Sequence, residues 1–175
     1  MQIFPEYGLK NDGLSWSLRR WEELSLEQLY AILQARSAVF VVEQTCPYQD
    51  LDDLDRHGLH LMAQDDGGEL LAYARLLPAG LRFPEPSIGR VLTTTAGRGR
   101  GLGRALMLKS LMAARTHFPG EAIRISAQQY LERFYRTLGF VTVRGPYDED
   151  GIPHMEMLCP LQNSEKGDLR PPPPP

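Results

Sequence analysis

Cysteine is scarce in this chain: Cys46 and Cys159 are the only two, and they stand far apart. That spacing builds neither a disulfide framework nor a paired set of zinc ligands, so a reducing cytoplasm is the expected setting. Long apolar runs are missing too. None approaches the ~20 residues needed to span a bilayer, so no membrane role is expected. The opening Met-Gln-Ile-Phe-Pro-Glu lacks the basic and apolar regions of a secretory signal. Positive charge is not in excess: the formal net charge is −3, whereas nucleic-acid binders usually carry a basic footprint. The acidic run Asp50, Asp52, Asp53 and Asp55 lacks the glycine that a calcium loop requires. It reads as a solvated turn that steers a cation by its charge, and no metal is expected.

What is present fits one domain. A chain of 175 residues can bury a proper core, and 42% hydrophobic with 23% charged residues is ordinary for a globular fold. We place the domain at residues 1–163 and a tail at 164–175, whose polar stretch and terminal prolines cannot pack. Leu14, Trp16 and Leu18 alternate with polar residues, as in a strand with one buried face. Ser25 and Gln28 form a capping box, after which Leu26, Leu29, Tyr30, Leu33 and Ser37 trace one helical face. This helix must end or bend before Pro47. Asp65-Asp66-Gly67-Gly68 joins two strands, His60 to Gln64 and Glu69 to Leu77, into a hairpin. The residues from Pro78 to Pro86 read as a loop, and Ser87 to Thr93 as a strand. After Phe140 to Arg144 come a Gly-Pro turn, a loop over Tyr147 to Pro153 and a last strand from Met155 to Leu161.

The most informative stretch is Arg98-Gly99-Arg100-Gly101-Leu102-Gly103, between the Ser87–Thr93 strand and a long proline-free helix over Leu102 to Phe118. A glycine turn that opens a helix presents unpaired N–H groups at the positive end of the helix dipole. Glycines let a phosphate approach the backbone, and Arg98, Arg100 and Arg104 add charge. The turn is not a P-loop, because no Gly-Lys-Ser/Thr follows at the required spacing. The dinucleotide fingerprint fails as well, since its third glycine would fall on Arg104. Incidental glycines at a helix start are the plain alternative.

Arg98, Gly101 and Gly103 match the Arg/Gln-x-x-Gly-x-Gly pattern of the GNAT superfamily of N-acetyltransferases, which this chain resembles. The segment from Gln128 through Phe134-Tyr135 to Gly139-Phe140 is similar to that family's second landmark. So are Arg36 to Gln44, Cys46 to Asp52, Ala72 to Arg75 and Glu149 to His154 similar to its ElaA-like branch. The resemblance implies an α/β (α+β) fold: a mixed, mostly antiparallel central sheet, helices on both faces and a splayed strand pair. It implies acetyl-CoA as co-substrate, with its pyrophosphate on Arg98, Gly99, Arg100, Gly101, Gly103 and Arg104. Backbone groups of Val91, Leu92 and Thr93 would hold the acyl carbonyl and pantetheine arm. Gln128 stands where many members carry asparagine, on the pantetheine side.

Amide formation from a thioester needs a neutral amine, donors for the carbonyl oxygen and a proton for the leaving thiolate. Tyr135 falls at the position of the family's general acid. Glu43 is the chosen base, because it follows the apolar run Val39 to Val42, where partial burial favours proton uptake. Asp148, Glu149, His60 and His154 are the other candidates by residue type, and an ion-paired surface role is the alternative for Glu43. The expected acceptor is a small-molecule or protein amine, and the expected state a monomer or homodimer. A non-catalytic acyl-CoA-binding or regulatory module on the same fold is the second reading.

Overall fold

A computed structural model describes residues 13–160. The domain boundary at 163, the proline tail and Leu161 lie outside the described residues. Seven strands form one sheet: β1 (Leu14–Arg20), β2 (Leu59–Asp65), β3 (Leu70–Leu77), β4 (Ser87–Thr93), β5 (Ile123–Gln128), β6 (Val141–Glu149) and β7 (Ile152–Cys159). Their order across the sheet is β1-β2-β3-β4-β5-β7-β6. Only β4 and β5 run parallel; every other neighbouring pair is antiparallel. The helices are α1 (Leu26–Arg36), continued by a π-helical segment Ser37–Glu43, then α2 (Leu102–His117) and the short α3 (Glu132–Arg136). No described helix is long and apolar enough to cross a membrane.

Two apolar layers cover the sheet. On one face, Leu102, Leu106 and Leu111 of α2 share a cluster with Leu61, Leu71, Ile123, Ile125 and Met157. On the other face, Ile32 and Ala35 of α1 pack with Met62, Tyr73 and Leu92. Strand β3 is buried along its whole length, as expected of a strand covered on both sides. Leu106 is fully buried in the larger cluster. Its replacement by alanine should destabilise the fold by about 2–5 kcal/mol, measurable as a lower midpoint in urea; a change under about 1 kcal/mol would mean the site collapses without a cavity.

Most of the element boundaries agree with the sequence pattern, and the capping box is formed. Ser25 Oγ accepts from the Gln28 N–H at 3.1 Å, and Gln28 Oε1 accepts from the Ser25 N–H at 3.1 Å. The inward face of α1 is a correction. Leu26 and Tyr30 are 84% and 68% exposed, while Ile32, Ala35 and Arg36 point inward. A single polar side chain turns the stripe: Arg36 is driven inside by buried carboxylates, described below.

The stretch Tyr147 to Pro153 is a second correction. It is no loop, because β6 continues to Glu149 and meets β7 at a tight turn through Asp150 and Gly151. The Gly145-Pro146 step, a cis bond, lies inside β6 at a register shift between Arg144 and Tyr147. A bulge on an edge strand tolerates a proline that donates nothing to the ladder.

Strand β4 carries a bulge of greater consequence. Tyr73 faces Leu92 and Arg75 faces Gly89, so Ala74 alone opposes Arg90 and Val91. Arg90 takes a left-handed φ of 51°, a conformation that costs a side-chain-bearing residue about 1–3 kcal/mol.

Candidate active site

Beyond the bulge, β4 and β5 separate. Their one register pair is Ser87 opposite Arg124, so the β4 edge past that point has backbone polar groups without a strand partner. A cleft of about 390 Å³ opens there, within the size range of small-molecule sites. Ile88 to Thr93 and Ile125 to Gln128 form its walls, and Tyr135 lines it from α3. Phe40, Glu43, Gln44, Cys46 and Tyr48 approach from the segment after α1. Arg82 and Phe83 come from the β3–β4 loop, and Glu149, Asp150, Ile152 and His154 from the β6–β7 hairpin.

The glycine turn sits beside this cleft. Arg98 lines it, whereas Gly99, Arg100, Gly101, Gly103 and Arg104 lie outside its lining, on the turn and the first turn of α2. Gly99 and Gly101 hold left-handed φ values of 74° and 72°, which only glycine adopts without strain. Gly101 caps α2 with no side-chain hydrogen bond, and no acidic residue stands in the first helical turn. The first N–H groups therefore face outward uncapped, an arrangement suited to an anion. The turn is pinned to β3 from behind: the Thr94 N–H donates to the Leu71 carbonyl at 2.9 Å. A Cβ on Gly97 would stand 2.2 Å from that same oxygen. Gly97→Ala should thus displace the turn from β3 and lower the melting temperature; an unchanged melting temperature would mean the turn tolerates the shift.

Tyr135 is 6% exposed. Burial, reinforced by neighbouring Tyr130, pushes its phenol up to about 12, so it holds its proton at neutral pH. Gln128 Nε2 donates to Gln44 Oε1 at 3.1 Å, reaching across the cleft. A second bridge runs in parallel: Arg98 Nη2 stands 2.8 Å from Glu43 Oε2, with both side chains about half exposed. The ion-paired alternative for Glu43 is therefore the observed geometry. Cys46 is buried, and its thiol donates to the Asp150 carbonyl at 3.3 Å. His60 is structural. Its Nε2 donates to the Asp55 carbonyl at 2.9 Å, and its Nδ1 lies 2.8 Å from the Tyr73 hydroxyl.

The acidic run is the largest correction. Asp50, Asp52 and Asp55 do not form a solvated turn, because three arginines consume them. Arg36, fully buried, binds Asp50 at 2.8 Å and Asp55 at 2.6 Å. Arg75, 1% exposed, donates to both Asp52 oxygens at 2.6 and 2.7 Å and to Asp55 at 2.7 Å. Arg90 stands 2.7 Å from Asp50 and 3.3 Å from Asp52. Asp53 alone remains exposed. Buried charges must be paired, and each of these three aspartates meets two arginines from two different elements.

This pairing sets an acid limit on stability. Burial opposes ionisation of Asp52, but hydrogen bonds and charge from Arg75, with Arg90, outweigh it and hold the carboxyl at about 2. Asp55 is lowered as well, with the charges of Arg36 and Arg75 overriding burial. Burial lowers His60 against the pull of its Asp55 hydrogen bond. Below the ordinary histidine value of 6.5, the unfolded chain takes up a proton that buried His60 refuses. Below the ordinary aspartate value of 3.8, it takes up more. Both contributions are present at high pH and lost on acidification. The melting temperature should be level above about pH 7, decline below it and fall steeply between about pH 4 and pH 2. A melting temperature independent of pH from 7 to 3 would contradict the buried pairing.

Residue spacing alone also did not bring together a polar group at the far end of the cleft. Tyr147 donates to Ser126 at 2.7 Å, and Ser126 donates to Glu149 at 2.7 Å. Arg82 binds the same carboxylate at 2.6 Å. Despite burial, the Ser126 hydrogen bond and the Arg82 charge keep Glu149 below its ordinary range. His154 stacks against Tyr147 with ring centroids 6.3 Å apart. Its Nδ1 lies 2.8 Å from the Ile152 carbonyl oxygen. Only the β6–β7 register places these side chains together.

Comparison with known proteins agrees with this geometry. The family described as "Acetyltransferase (GNAT) domain" matches residues 23–161. The chain is 44% identical over 146 residues to Protein ElaA of Escherichia coli strain K12, covering 82% of this chain and 95% of that protein. Among solved structures, an acyl-CoA N-acyltransferase from Pseudomonas aeruginosa superposes with a TM-score of 0.79 at 46% identity, covering 83% and 98% of the two chains. Escherichia coli ElaA superposes with a TM-score of 0.77 at 42% identity, covering 83% and 98%. With this sheet, this split and these relatives, the chain belongs to the GNAT acetyltransferase family, on its ElaA-like branch.

Proposed function

We propose that the protein moves the acetyl group of acetyl-CoA directly to a primary amine. One observation carries the reading: a buried, protonated Tyr135 and the unpaired edge of β4 meet in one cleft beside the uncapped start of α2. The first N–H groups of α2, with Arg98, Arg100 and Arg104 around them, hold the pyrophosphate. Val91, Leu92 and Thr93 offer backbone groups to the acyl carbonyl and the pantetheine arm, and Gln128 borders the latter. The amine nitrogen attacks the thioester carbon, a C–N bond forms, and the C–S bond breaks as Tyr135 gives its proton to the departing sulfur.

The amine must also lose a proton. Glu43 is one acceptor in the cleft, although it would have to give up Arg98 to take it. His154 is favoured by its hydrogen bond. A carbonyl oxygen only accepts, so Nδ1 carries the proton, and a neutral ring offers its Nε2 lone pair. His154→Gln should lower kcat/KM by about 10²–10⁴-fold while Glu43→Gln should keep it within about twofold; the reverse result assigns the base to Glu43.

The test of the whole reading begins with binding. At about 100-fold excess over Kd, acetyl-CoA should stabilise the protein by about 2.7 kcal/mol, a rise of several degrees in melting temperature. Arg98→Glu should abolish the rise. Turnover is then sought across a panel of small amines and peptide N-termini. Absence of the rise refutes the coenzyme reading, and tight binding without turnover across the panel supports the non-catalytic acyl-CoA module.

A further inference from the structure

The buried Arg36 and Arg75, the partly buried Arg90 and their aspartates have a place in the transfer itself, an inference that rests on the acetyl-CoA reading above. Four segments converge on this network: the end of α1 through Arg36, the 50–55 segment, β3 through Arg75, and β4 through Arg90. The formal charges cancel, three against three. For stability alone, apolar side chains of similar volume would serve as well as buried ion pairs. What ions supply is fixed geometry. The geometry in question is that of the β4 bulge.

Arg90 is the extra residue of the bulge, and among the described residues it is the one strand residue other than glycine with a left-handed φ. Nothing local favours that conformation, since Arg90 makes no hydrogen bond to its own turn. It is held from a distance. Its Nη2 donates to the Asp50 carbonyl at 3.0 Å and to Asp52 at 3.3 Å. Its guanidinium covers the Tyr48 ring at 5.7 Å, and the Tyr48 hydroxyl donates to Asp50 at 2.9 Å. Arg36 and Arg75 fix those two aspartates in turn. The bulge so held is followed by Val91, Leu92 and Thr93, at the point where β4 leaves β5.

We propose that Arg90 is a positioning residue for acetyl transfer: anchored by Asp50, Asp52 and Tyr48, it locks the β4 bulge so that the following backbone N–H groups meet the acyl carbonyl. The anchor sets the bulge that meets the acyl carbonyl, a group that only acetyl-CoA carries, and it does not touch the Arg98–Gly103 turn. Its loss should therefore separate acetyl-CoA from coenzyme A in binding, and kcat from KM in turnover.

Three variants and two ligands test this. Calorimetric titration gives Kd for acetyl-CoA and for free coenzyme A with wild type, Arg90→Met, Arg90→Lys and Arg90→Gly. Arg90→Met should weaken acetyl-CoA by about three- to tenfold, the range of one lost hydrogen bond, while coenzyme A changes by less than about twofold. In turnover its kcat should fall about 100-fold, as for an ångström-scale misplacement of reacting groups, with KM for acetyl-CoA rising no more than its Kd. Arg90→Lys restores the charge and should recover part of the loss. Arg90→Gly accepts the left-handed φ but lacks the anchor, so it should melt near wild type and remain as slow as Arg90→Met. Equal weakening of both ligands, an unchanged kcat in Arg90→Met, or full activity in Arg90→Gly would overturn the proposal. Wild-type protein that binds neither ligand would instead overturn the coenzyme reading, and the inference with it.

Discussion

Replacing Tyr135 with phenylalanine should lower kcat by about 10²–10⁴-fold, the usual range for a general acid, and leave the affinity for acetyl-CoA within about twofold. The ring is buried among Phe134 and Phe140, with edge contacts at centroid distances of 5.1 and 5.8 Å. Phenylalanine keeps those contacts, so the fold should survive. No side chain among the described residues hydrogen-bonds the Tyr135 hydroxyl, and no buried partner is stranded by its removal. The loss then falls on the departing thiolate alone. It should be greatest with acyl donors whose leaving group is most basic. Turnover equal to wild type at every pH would remove Tyr135 from the mechanism. Loss of coenzyme affinity in step with kcat would make it a wall of the site instead.

The second large effect concerns Asp55. Its carboxylate receives Arg36 at 2.6 Å and Arg75 at 2.7 Å, and all three side chains are buried. Asp55→Ala removes one negative charge and strands part of two positive ones. Breaking a buried pair in this way costs about 3–5 kcal/mol, so the melting temperature should drop by roughly 6–20 °C for a chain of this size. Asp55→Asn keeps an acceptor oxygen for one arginine and should fall between. A drop below about 2 °C in Asp55→Ala would mean that Asp50 and Asp52 satisfy both guanidinium groups unaided. The prediction is separate from that for Arg90, whose side chain lies at the outer edge of the network and whose removal leaves Arg36 and Arg75 paired.

Much of the site was legible in the residues themselves. Glycine, arginine and a following apolar helix locate the Arg98–Gly103 turn, because the dipole and the unpaired N–H groups arise from local chain geometry. Tyr135 and Gly139 are readable from a short helix closing on glycine, whose φ of 91° is left-handed. The pairing of Arg36, Arg75 and the aspartates left a weaker trace. An arginine inside the apolar β3 run Leu70–Leu77 calls for a buried counter-charge, and four aspartates stand in the 50–55 segment. Which carboxylate meets which arginine is not readable, since the partners lie 14 to 23 residues apart in sequence.

Sequence by itself determined the family, the strand and helix order and the glycine turn, and it singled out Tyr135, since these depend on local periodicity and short motifs. Tertiary structure alone decided the rest. It turned α1 onto its Arg36 face, made a hairpin of Tyr147 to Pro153 and placed Glu149, Ser126 and His154 at one end of the cleft. It also joined Glu43 to Arg98 and set Arg90 in a bulge held by distant aspartates. Each of these depends on strand register or on the balance between burying a charge and pairing it. That balance is settled only when remote segments have packed together.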